Sequence, residues 1–367
     1  MAQRRVRTAG VGVGLALALT LTACGGDSGG GGGTPTPGGG QPQGKIGVIL
    51  PDTASSVRWE TQDRPLLEKA FTEAGVEFDI QNAQGDAQRM ATIAEQMISG
   101  GVTVLAITNL DSASGAQIQR QAQQQGVQTI DYDRLTLGGV SEYYVSFDNT
   151  QVGRLQGQGL QKCLGAGAKN IAYINGSPDD NNATLFSRGA HEVLDAVPDY
   201  TKVAEQAVPD WDNQQAATIF EQMYTAQGGN INGVLAANDG LANAVISILQ
   251  RNNVAGQVPV TGQDATTDGL QHILAGEQCM TVYKPIQQEA DALAALAVAL
   301  AKGEQPQVDG KAQDPEGNRE VPAVLLEPIP IFKDNVKQVV DDGFVTGAEI
   351  CVGAAQAACT ELGISTA

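Results

Sequence analysis

Residues 102–131, VTVLAITNLDSASGAQIQRQAQQQGVQTID, decide the fold class, because two short apolar runs flank a helical pattern there. The runs at 102–108 and 128–131 are rich in Val, Ile and Thr, which favour strands. The stretch 115–125 has helical periodicity and stops before Gly126, a residue suited to the left-handed backbone that ends a helix. A strand, a helix and a strand in this order predict two parallel strands joined by a crossover helix.

The same alternation extends in both directions from this unit. Further strands are predicted at 46–50, 77–81, 170–174, 202–207, 233–236 and 259–261. Further helices are predicted at 64–74, 86–99, 151–162, 183–194, 214–227 and 240–250. The strand runs are short and apolar, as expected for strands that are buried on both faces. The sequence therefore predicts an α/β protein with two similar halves, each a Rossmann-like parallel sheet covered by helices.

Polar and aromatic side chains follow most of the predicted strands, at the edge where open parallel sheets bind their ligands. These groups lie at 58–59, 131–134, 175–182, 210–212, 236–239, 262–264 and 283–285. They combine carboxylates, amides and cations, which suit a sugar because each hydroxyl both donates and accepts hydrogen bonds. Trp59 and Trp211 are the only tryptophans, and their flat faces suit the C–H face of a pyranose. Together these residue types predict a sugar site.

Several of these residues also have a purely structural interpretation. Asp133 and Arg134 could form an ion pair on the surface, and Lys284 could extend into solvent. Trp59 and Trp211 could pack against their own loops instead of stacking on a sugar. The position of all five after predicted strands favours the binding role.

Two helix starts have more than one candidate for the capping residue. Asn182 could cap the helix at 183–194 instead of contacting a ligand, since Asn is a common N-cap, but Asn181 or Asp180 is as good a cap. Asp239 is the residue that we expect to cap the helix at 240–250. Farther along, three acids could suggest a calcium loop, but their spacing does not match one, and we predict a polar linker there: Asp309, Asp314 and Glu320.

The first 44 residues predict export and attachment to a membrane. Three arginines among the first seven residues precede a short apolar run, and this pattern over 1–23 is typical of a secretory signal. The run ends in Leu21-Thr22-Ala23-Cys24, which resembles the bacterial lipobox and implies acylation of Cys24. An ordinary secretory signal with a chance cysteine is the alternative. Residues 24–44 are nearly all Gly, Pro, Gln, Ser and Thr, which predicts a flexible tether.

Charge and cysteine content restrict the partners. The formal net charge is −19, whereas nucleic-acid binding requires a basic surface, so we predict no nucleic-acid partner. The chain has two histidines, neither with metal-ligand spacing, and we predict no metal and no cofactor. Outside the cytoplasm, the four cysteines beyond Cys24 predict disulfides. Cys351 pairs best with the nearby Cys359, which leaves Cys163 with Cys279.

From Lys45 to about Phe344 the chain resembles the type I periplasmic sugar-binding proteins, and within them the D-xylose-binding group. The resemblance depends on short motifs that occur in order at the family's spacings over nearly the whole mature chain. They are KIG at 45–47, RW at 58–59, YDR at 132–134, SFDN at 146–149, GSP at 176–178, DNNA at 180–183, ND at 238–239, GQDA at 262–265 and MTVYKP at 280–285.

This resemblance implies two domains joined by a hinge that the chain crosses three times. The crossings fall near 146–149, 281–284 and 327–332. The N-terminal domain comprises 45–147 plus 284–326, the C-terminal domain comprises 148–283 plus 327–350, and a tail follows at 351–367. Closure of such domains on a ligand is a hinge motion.

The resemblance also implies a receptor that passes a monosaccharide, expected to be D-xylose, to the permease of an ABC importer. We expect it to act as a monomer outside the cytoplasm. The implied sugar contacts are Arg58, Asp133, Arg134, Asn182, Trp211, Asn238, Asp264 and Lys284, and we add Trp59 for its aromatic face. Another pentose or hexose, or a sensory partner in place of the permease, remain alternatives.

Two other functional classes fit the sequence less well. Asp133 and Asp264 could in principle act as acid and base in a carbohydrate-active enzyme. The sequence, however, has no nucleophile motif, cofactor loop or metal cluster, so we predict that the protein is not an enzyme. A sugar-responsive transcription regulator shares this fold, but it would need a DNA-binding segment before Lys45, where the signal and tether lie.

Overall fold

The computed structural model describes residues 44–366, in which strands and helices alternate as an α/β protein. The predicted signal, Cys24 and all but the last residue of the tether lie outside the described residues. Within 44–366, no helix combines the length and the apolar character needed to cross a bilayer.

Twelve strands occur within 44–366: β1 (Lys45–Leu50), β2 (Phe78–Asn82), β3 (Val102–Ile107), β4 (Gln128–Tyr132), β5 (Tyr143–Phe147), β6 (Lys169–Asn175), β7 (Tyr200–Ala207), β8 (Gly233–Ala236), β9 (Thr281–Tyr283), β10 (Gly310–Asp314), β11 (Arg319–Leu326) and β12 (Ile329–Ile331). The same part of the chain forms twelve α-helices: α1 (Arg64–Ala74), α2 (Ala87–Ser99), α3 (Ser112–Gln124), α4 (Asn149–Leu164), α5 (Asn181–Leu194), α6 (Asn213–Ala226), α7 (Asp239–Arg251), α8 (Thr267–Ala275), α9 (Ile286–Ala301), α10 (Lys337–Asp341), α11 (Gly347–Ile350) and α12 (Gln356–Leu362).

The strands form one large sheet and two small ones. The seven-stranded sheet has the order β10-β11-β5-β4-β3-β1-β2 and is parallel except for β10. The three-stranded sheet, β7-β6-β8, is parallel, and β12 pairs with β9 in an antiparallel ribbon. The predicted fold class, α/β with two Rossmann-like parallel sheets, is confirmed. We call the large sheet with α1–α3 and α9 the first lobe, and the three-stranded sheet with α4–α8 the second lobe.

Aspartates determine where most of the central helices begin. The carboxylates of Asp86, Asp111, Asp148, Asp180 and Asp212 each accept a hydrogen bond from a backbone N–H in the first turn of α2 to α6, respectively. Such caps satisfy donors that have no partner inside the helix, and their charge is favourable at a helix N-terminus. These caps therefore direct the chain into its helix straight after the strand ends, where the candidate site lies.

Each lobe has its own apolar core, and the C-terminal segment adds a third. The first-lobe core includes β1 and α9, an apolar helix packed against α1 and the large sheet. The second-lobe core lies between the small sheet, α6 and α7. Residues 336–364 pack on α8 in a smaller cluster that contains Cys351 and Cys359. Because α9 follows Lys284 directly, its packing determines where that side chain lies.

Both predicted disulfides are present. Cys351 pairs with Cys359 inside the C-terminal cluster, and Cys163 at the end of α4 pairs with Cys279 just before β9. The second bond closes a loop with a sequence separation of 116. In the chain-entropy model, a disulfide that closes a loop of this size stabilises the fold by about 4–5 kcal/mol, because it restricts the unfolded chain.

Two parts of the predicted secondary structure were wrong, and other elements, among them strand β5 and helix α8, were not predicted. The polar linker predicted around Asp314 is the β10–β11 hairpin, and its buried Asp314 accepts hydrogen bonds from Gly138 N and Gly317 N. Polar side chains on an outer strand masked the strand pattern. The strand predicted at 259–261 is reduced to one bridge, Val234 to Val260. Strand β5 was not predicted, although it is buried throughout.

The chain crosses between the lobes at three places: between β5 and α4, between β9 and α9, and between β11 and β12. The large sheet takes its strands from 45–147 and 310–326, and the small parallel sheet takes its strands from 169–236. The exact domain boundaries given above remain a prediction.

Candidate functional site

A cleft lies between the two lobes, and side chains from both lobes line it. All of the predicted site residues line it: Arg58, Trp59, Asp133, Arg134, Asn182, Trp211, Asn238, Asp264 and Lys284. Five further residues line it that the sequence reasoning did not select: Ser55, Ser56, Asp180, Phe186 and Gln263.

Arg58 is fixed by three carboxyl groups of the first lobe. Its Nε and Nη2 donate to the two oxygens of Asp63 at 2.9 and 2.7 Å, a bidentate pair. Its Nη2 also lies 2.5 Å from Glu289 Oε2, and its Nη1 lies 3.1 Å from Asp133 Oδ2. Tyr132 Oη donates to Asp63 at 2.6 Å, which fixes that carboxylate in turn. The guanidinium is therefore held in place before any ligand arrives.

Asp133 is held through its backbone as well as its side chain. It has a left-handed backbone with φ of 61°, a conformation that costs energy for a residue other than glycine. Its carbonyl oxygen accepts hydrogen bonds from Tyr144 Oη, Ser146 Oγ and Asn182 Nδ2, at 2.9, 2.8 and 2.9 Å. These bonds from strand β5 and helix α5 stabilise the unusual turn and direct the carboxylate into the cleft.

The ionisation of Asp133 follows from its neighbours. Burial alone would raise the pKa of its carboxyl, but Lys284, Arg58 and Arg134 together hold the pKa below its usual value. Lys284 Nζ lies 3.6 Å from Asp133 Oδ2 and 3.4 Å from Asp264 Oδ1. Burial alone would lower the pKa of Lys284, but the two aspartates keep it above its usual value. Both groups are therefore charged at neutral pH.

Arg134 of the first lobe pairs with Asp180 of the second lobe across the cleft. Its Nε lies 3.1 Å from Asp180 Oδ2, although the angle is too poor for a hydrogen bond, and its Nη1 donates to Asn109 O at 3.2 Å. Asp180 accepts a further bond from Trp211 Nε1 at 3.2 Å and caps α5. Burial raises the pKa of Asp180 above its usual value. The ion pair links the first lobe to the second.

The two tryptophans have different surroundings. Trp59 is buried, and the Arg58 guanidinium lies 4.3 Å from its ring centre, a cation–π contact. Trp211 contacts Phe186 edge-on at 6.5 Å. A Cβ atom at Gly176 would lie 2.0 Å from the Trp211 ring, so only glycine allows the ring to lie in this position. Stacking of either ring on a sugar stays a prediction.

The structure settles the structural alternatives for four residues. Asp133, Arg134 and Lys284 are buried, so neither a surface ion pair nor a solvated lysine describes them. The cap of α5 is Asp180, and Asn182 instead donates to Asp133. Burial removes these polar side chains from water, so they depend on the ion pairs and hydrogen bonds that they form within the cleft.

The prediction that Asp239 caps α7 was wrong, because Asn238 takes that position. Asn238 Oδ1 accepts from Leu241 N at 2.9 Å, which leaves its amide N–H groups for the cleft. Asp239 is fully buried behind it and accepts bonds from Gln278 Nε2 and Thr281 Oγ1 at 2.8 and 2.9 Å. Burial raises the pKa of Asp239 to about 7. Asn238 therefore caps α7 and also lines the cleft, whereas Asp239 is a buried structural acid.

Two of the lining residues that were missed carry signals in the sequence. Phe186 lies four residues after Asn182 on α5, and this spacing places both on one face of the helix. Gln263 precedes Asp264, and its buried Oε1 has no hydrogen-bond partner within residues 44–366. An acceptor in this position suits a ligand hydroxyl.

The charges around the cleft favour a neutral ligand. The cations Arg58, Arg134 and Lys284 each lie within ion-pair distance of a carboxyl group, so within residues 44–366 none of the three is left for an anionic ligand. Burial raises the pKa of Glu289 to about 8, so this carboxyl carries less negative charge at neutral pH than an ordinary glutamate. The cleft therefore offers many hydrogen-bond donors and acceptors, and its charged groups already neutralise one another without a charged ligand.

Comparisons with known proteins agree with this arrangement. Residues 46–305 match the family described as periplasmic binding protein domain. The D-xylose-binding periplasmic protein of Escherichia coli is 36% identical over 310 residues, covering 83% of this chain and 92% of the relative. The multiple sugar-binding periplasmic protein SbpA of Azospirillum brasilense is 34% identical over 330 residues, covering 84% and 92%.

Solved structures show the same fold. An ABC transporter solute-binding protein of Clostridium phytofermentans, with bound β-D-glucose, superposes with a TM-score of 0.77 at 30% identity, covering 83% of this chain and 99% of that chain. A carbohydrate transporter solute-binding protein of Chloroflexus aurantiacus, in complex with D-glucose, gives a TM-score of 0.76 at 28% identity, covering 83% and 97%.

Proposed function

The chain belongs to the periplasmic binding protein family, and from this premise we propose that it is the sugar receptor of an ABC importer, with D-xylose as its ligand. The observation that carries the proposal is the cleft, in which paired charges, amides and aromatic rings from both lobes surround one space. The relatives named for D-xylose, 36% and 35% identical over 83% of the chain, support this choice of sugar.

We assign the sugar contacts by hydrogen-bonding capacity. Asp133 and Asp264 accept from sugar hydroxyls, and Arg58 and Lys284 donate to them. Asn238 donates through its amide, because its oxygen caps α7. The aromatic faces of Trp59 and Trp211 provide the apolar contact that the C–H bonds of the ring require.

Binding would couple to closure of the lobes. A sugar in the cleft contacts residues of both lobes only when the lobes are close together, so it shifts the population toward that state. In the structure, the lobes already meet through the hydrogen bond from Asn182 Nδ2 to Asp133 O and through the Arg134–Asp180 ion pair. The closed form would be the one that an importer's membrane subunits recognise.

The two acids predicted for the alternative of an acid–base enzyme, Asp133 and Asp264, do not fit that role. Glycoside hydrolysis requires one carboxylic acid with a raised pKa and one carboxylate. Here Asp133 and Asp264 share the same ammonium group of Lys284, and the pKa of Asp133 lies below its usual value. We therefore assign a transport role and no catalytic role.

We further propose that the receptor is a monomer attached to the outer face of the cell membrane through a lipid on Cys24. The lipobox-like Leu21–Cys24 motif and the Gly-rich stretch after it support this location. Replacement of Cys24 by Ser should release the protein into the medium. Retention of the C24S protein in the membrane fraction would remove the lipid anchor from the proposal.

The test of the proposed function is calorimetric titration of the purified protein with a panel of aldopentoses and hexoses. We expect D-xylose to bind with micromolar or tighter affinity and one site per chain. If a different monosaccharide binds more tightly, the receptor role stands and the sugar changes. If no monosaccharide binds, the proposed function is wrong.

A further inference from the structure

A second cavity adjoins the sugar cleft, and both are lined by Ser56, Arg58 and Asp264. We propose that this side cavity binds the second ring of a disaccharide whose first ring occupies the cleft. The inference rests on the proposed function and extends it from monosaccharides to disaccharides.

The side cavity lies between the same two parts of the molecule as the cleft. Val57, Thr61 and Ile286 line it from the first lobe, and Thr266 and Thr267 line it from the second. Phe344 and Val345 of the C-terminal segment complete its wall. In a ligand that extends from the cleft into this cavity, the first ring and the second ring would each contact both lobes.

The chemistry of the wall differs from that of the cleft. Ile286 and Val345 are buried and provide an apolar floor, and Phe344 adds an aromatic ring. Hydroxyl groups of Thr61 and Thr267 stand beside these apolar side chains. A pyranose has apolar C–H faces and hydroxyls around its edge, so apolar residues next to hydroxyl groups match it.

Val57 supplies an independent observation. Its side chain is 64% exposed, the highest value among the large hydrophobic residues that are exposed within 44–366. It stands at the cavity, on the loop that also carries Arg58. A single exposed valine is unremarkable, but one at the edge of a cavity that continues a sugar site gains apolar contact when a second ring fills the space.

The cavity is less suited to an anionic extension of the ligand. Arg58 is the only cation that lines it within residues 44–366, and three carboxyl groups already surround that guanidinium. Asp264 and Asp268 add negative charge to the wall. A phosphate group would be repelled here, whereas a neutral ring is not.

The cavity also depends on closure. Gln62 Nε2 donates to Phe344 O at 3.3 Å, a contact between the first lobe and the C-terminal segment beside the cavity. The two walls are joined there only when the lobes are close. A disaccharide that spans both spaces should therefore favour the closed form at least as strongly as a single sugar does.

The test compares D-xylose with β-1,4-linked xylobiose by calorimetry on the purified protein. We expect xylobiose to bind one site per chain at least as tightly as D-xylose. V57W, which places a large ring at the exposed edge of the cavity, should weaken xylobiose binding at least tenfold and change D-xylose binding less than twofold. T61W, on the same exposed turn, should act in the same direction.

V352W serves as the matched control, since Val352 is an exposed valine outside the cavity. It should leave both affinities unchanged, and thermal unfolding should show that the three variants fold alike. The inference is wrong if D-xylose binds but xylobiose binds more than a hundredfold more weakly, or if V57W and T61W leave xylobiose binding unchanged. It is also wrong if 4-nitrophenyl β-D-xyloside binds tightly and xylobiose does not, because the cavity would then take an aromatic group. Absence of binding by any sugar would instead contradict the proposed function itself.

Discussion

The two walls of the sugar cleft are built in different ways. On the first lobe, Arg58, Asp63, Asp133 and Glu289 hold one another through a continuous set of ion pairs and hydrogen bonds. On the second lobe, Trp211, Asn238 and Asp264 make fewer such contacts, and their own backbone contributes more to their positions. Asn238 caps a helix, and Trp211 and Asp264 have left-handed backbones, with φ of 56° and 101°.

This difference indicates how each wall responds to change. Removing one member of a mutually paired cluster leaves its buried partners without compensation, and that cost appears in the stability of the fold as well as in binding. Removing a side chain whose position depends on its backbone loses one ligand contact and little else. Substitutions in the first wall should therefore lower both the stability of the fold and the affinity for sugar. Substitutions in the second wall should lower the affinity alone.

The largest effect should come from D133A. This change leaves Arg58 and Lys284 with one carboxylate fewer, so we expect the free energy of unfolding to fall by about 3–5 kcal/mol and sugar binding to become undetectable. Urea denaturation and calorimetry measure the two losses. D133N keeps the shape and should retain part of the stability but not the affinity. If D133A left the free energy of unfolding unchanged, the proposed link between stability and sugar affinity in the first wall would be wrong.

A smaller effect, confined to binding, is expected for D264A. The sugar loses one charged acceptor, which should weaken binding by about 1–3 kcal/mol. Lys284 keeps Asp133 as its partner, so the free energy of unfolding should change by less than about 1 kcal/mol. Unchanged affinity for every sugar would exclude Asp264 from the site, and a large loss of stability would remove the contrast between the walls.

The smallest effect, and the one that depends on pH, is expected for E289Q. The pKa of Glu289 is raised to about 8 in the folded protein from an ordinary value of 4.5, so the folded state binds this proton more tightly than the unfolded state does. The contribution of Glu289 to stability is therefore greatest below pH 4.5 and declines as the pH rises toward 8.

The neutral glutamine in E289Q cannot ionise, so the variant should lack this decline. Relative to the wild type, the variant should gain on the order of 1 kcal/mol or more between pH 6 and pH 9, measured by urea denaturation at each pH. D264A, measured in the same way, is the control on the other wall. A parallel pH dependence of E289Q and wild type would mean that Glu289 is ionised throughout.

The sequence carried enough information for much of the fold and for the lining of the cleft. Helix α1 has the bounds that its periodicity predicts, and polar residues after successive strands converge because parallel strands end at one edge. Asp63 lay within reach of sequence reasoning, since it follows Arg58 by five residues on the turn that opens α1. The rule that ligands bind at strand ends does not select it, because Asp63 lies in a helical turn and not after a strand.

Other features could not be found from local sequence. Glu289 contacts Arg58 across 231 positions of the chain, and nothing near either residue signals the pair. The burial of Asp239 in place of a capping role depends on Gln278 and Thr281, which donate hydrogen bonds to it from a distant part of the chain. Such contacts are set by tertiary packing, which outweighs the capping preference of a single residue.

The Cys163–Cys279 disulfide has a mechanical consequence. Cys163 ends the helix that starts at the first crossing between the lobes, and Cys279 precedes the strand that leads to the second crossing. The bond therefore lies within the second lobe, where it joins the far end of the helix that leaves the first crossing to the segment that enters the second. With the cysteines oxidised, these two segments keep their spacing while the lobes open and close, so the second lobe should move as one body.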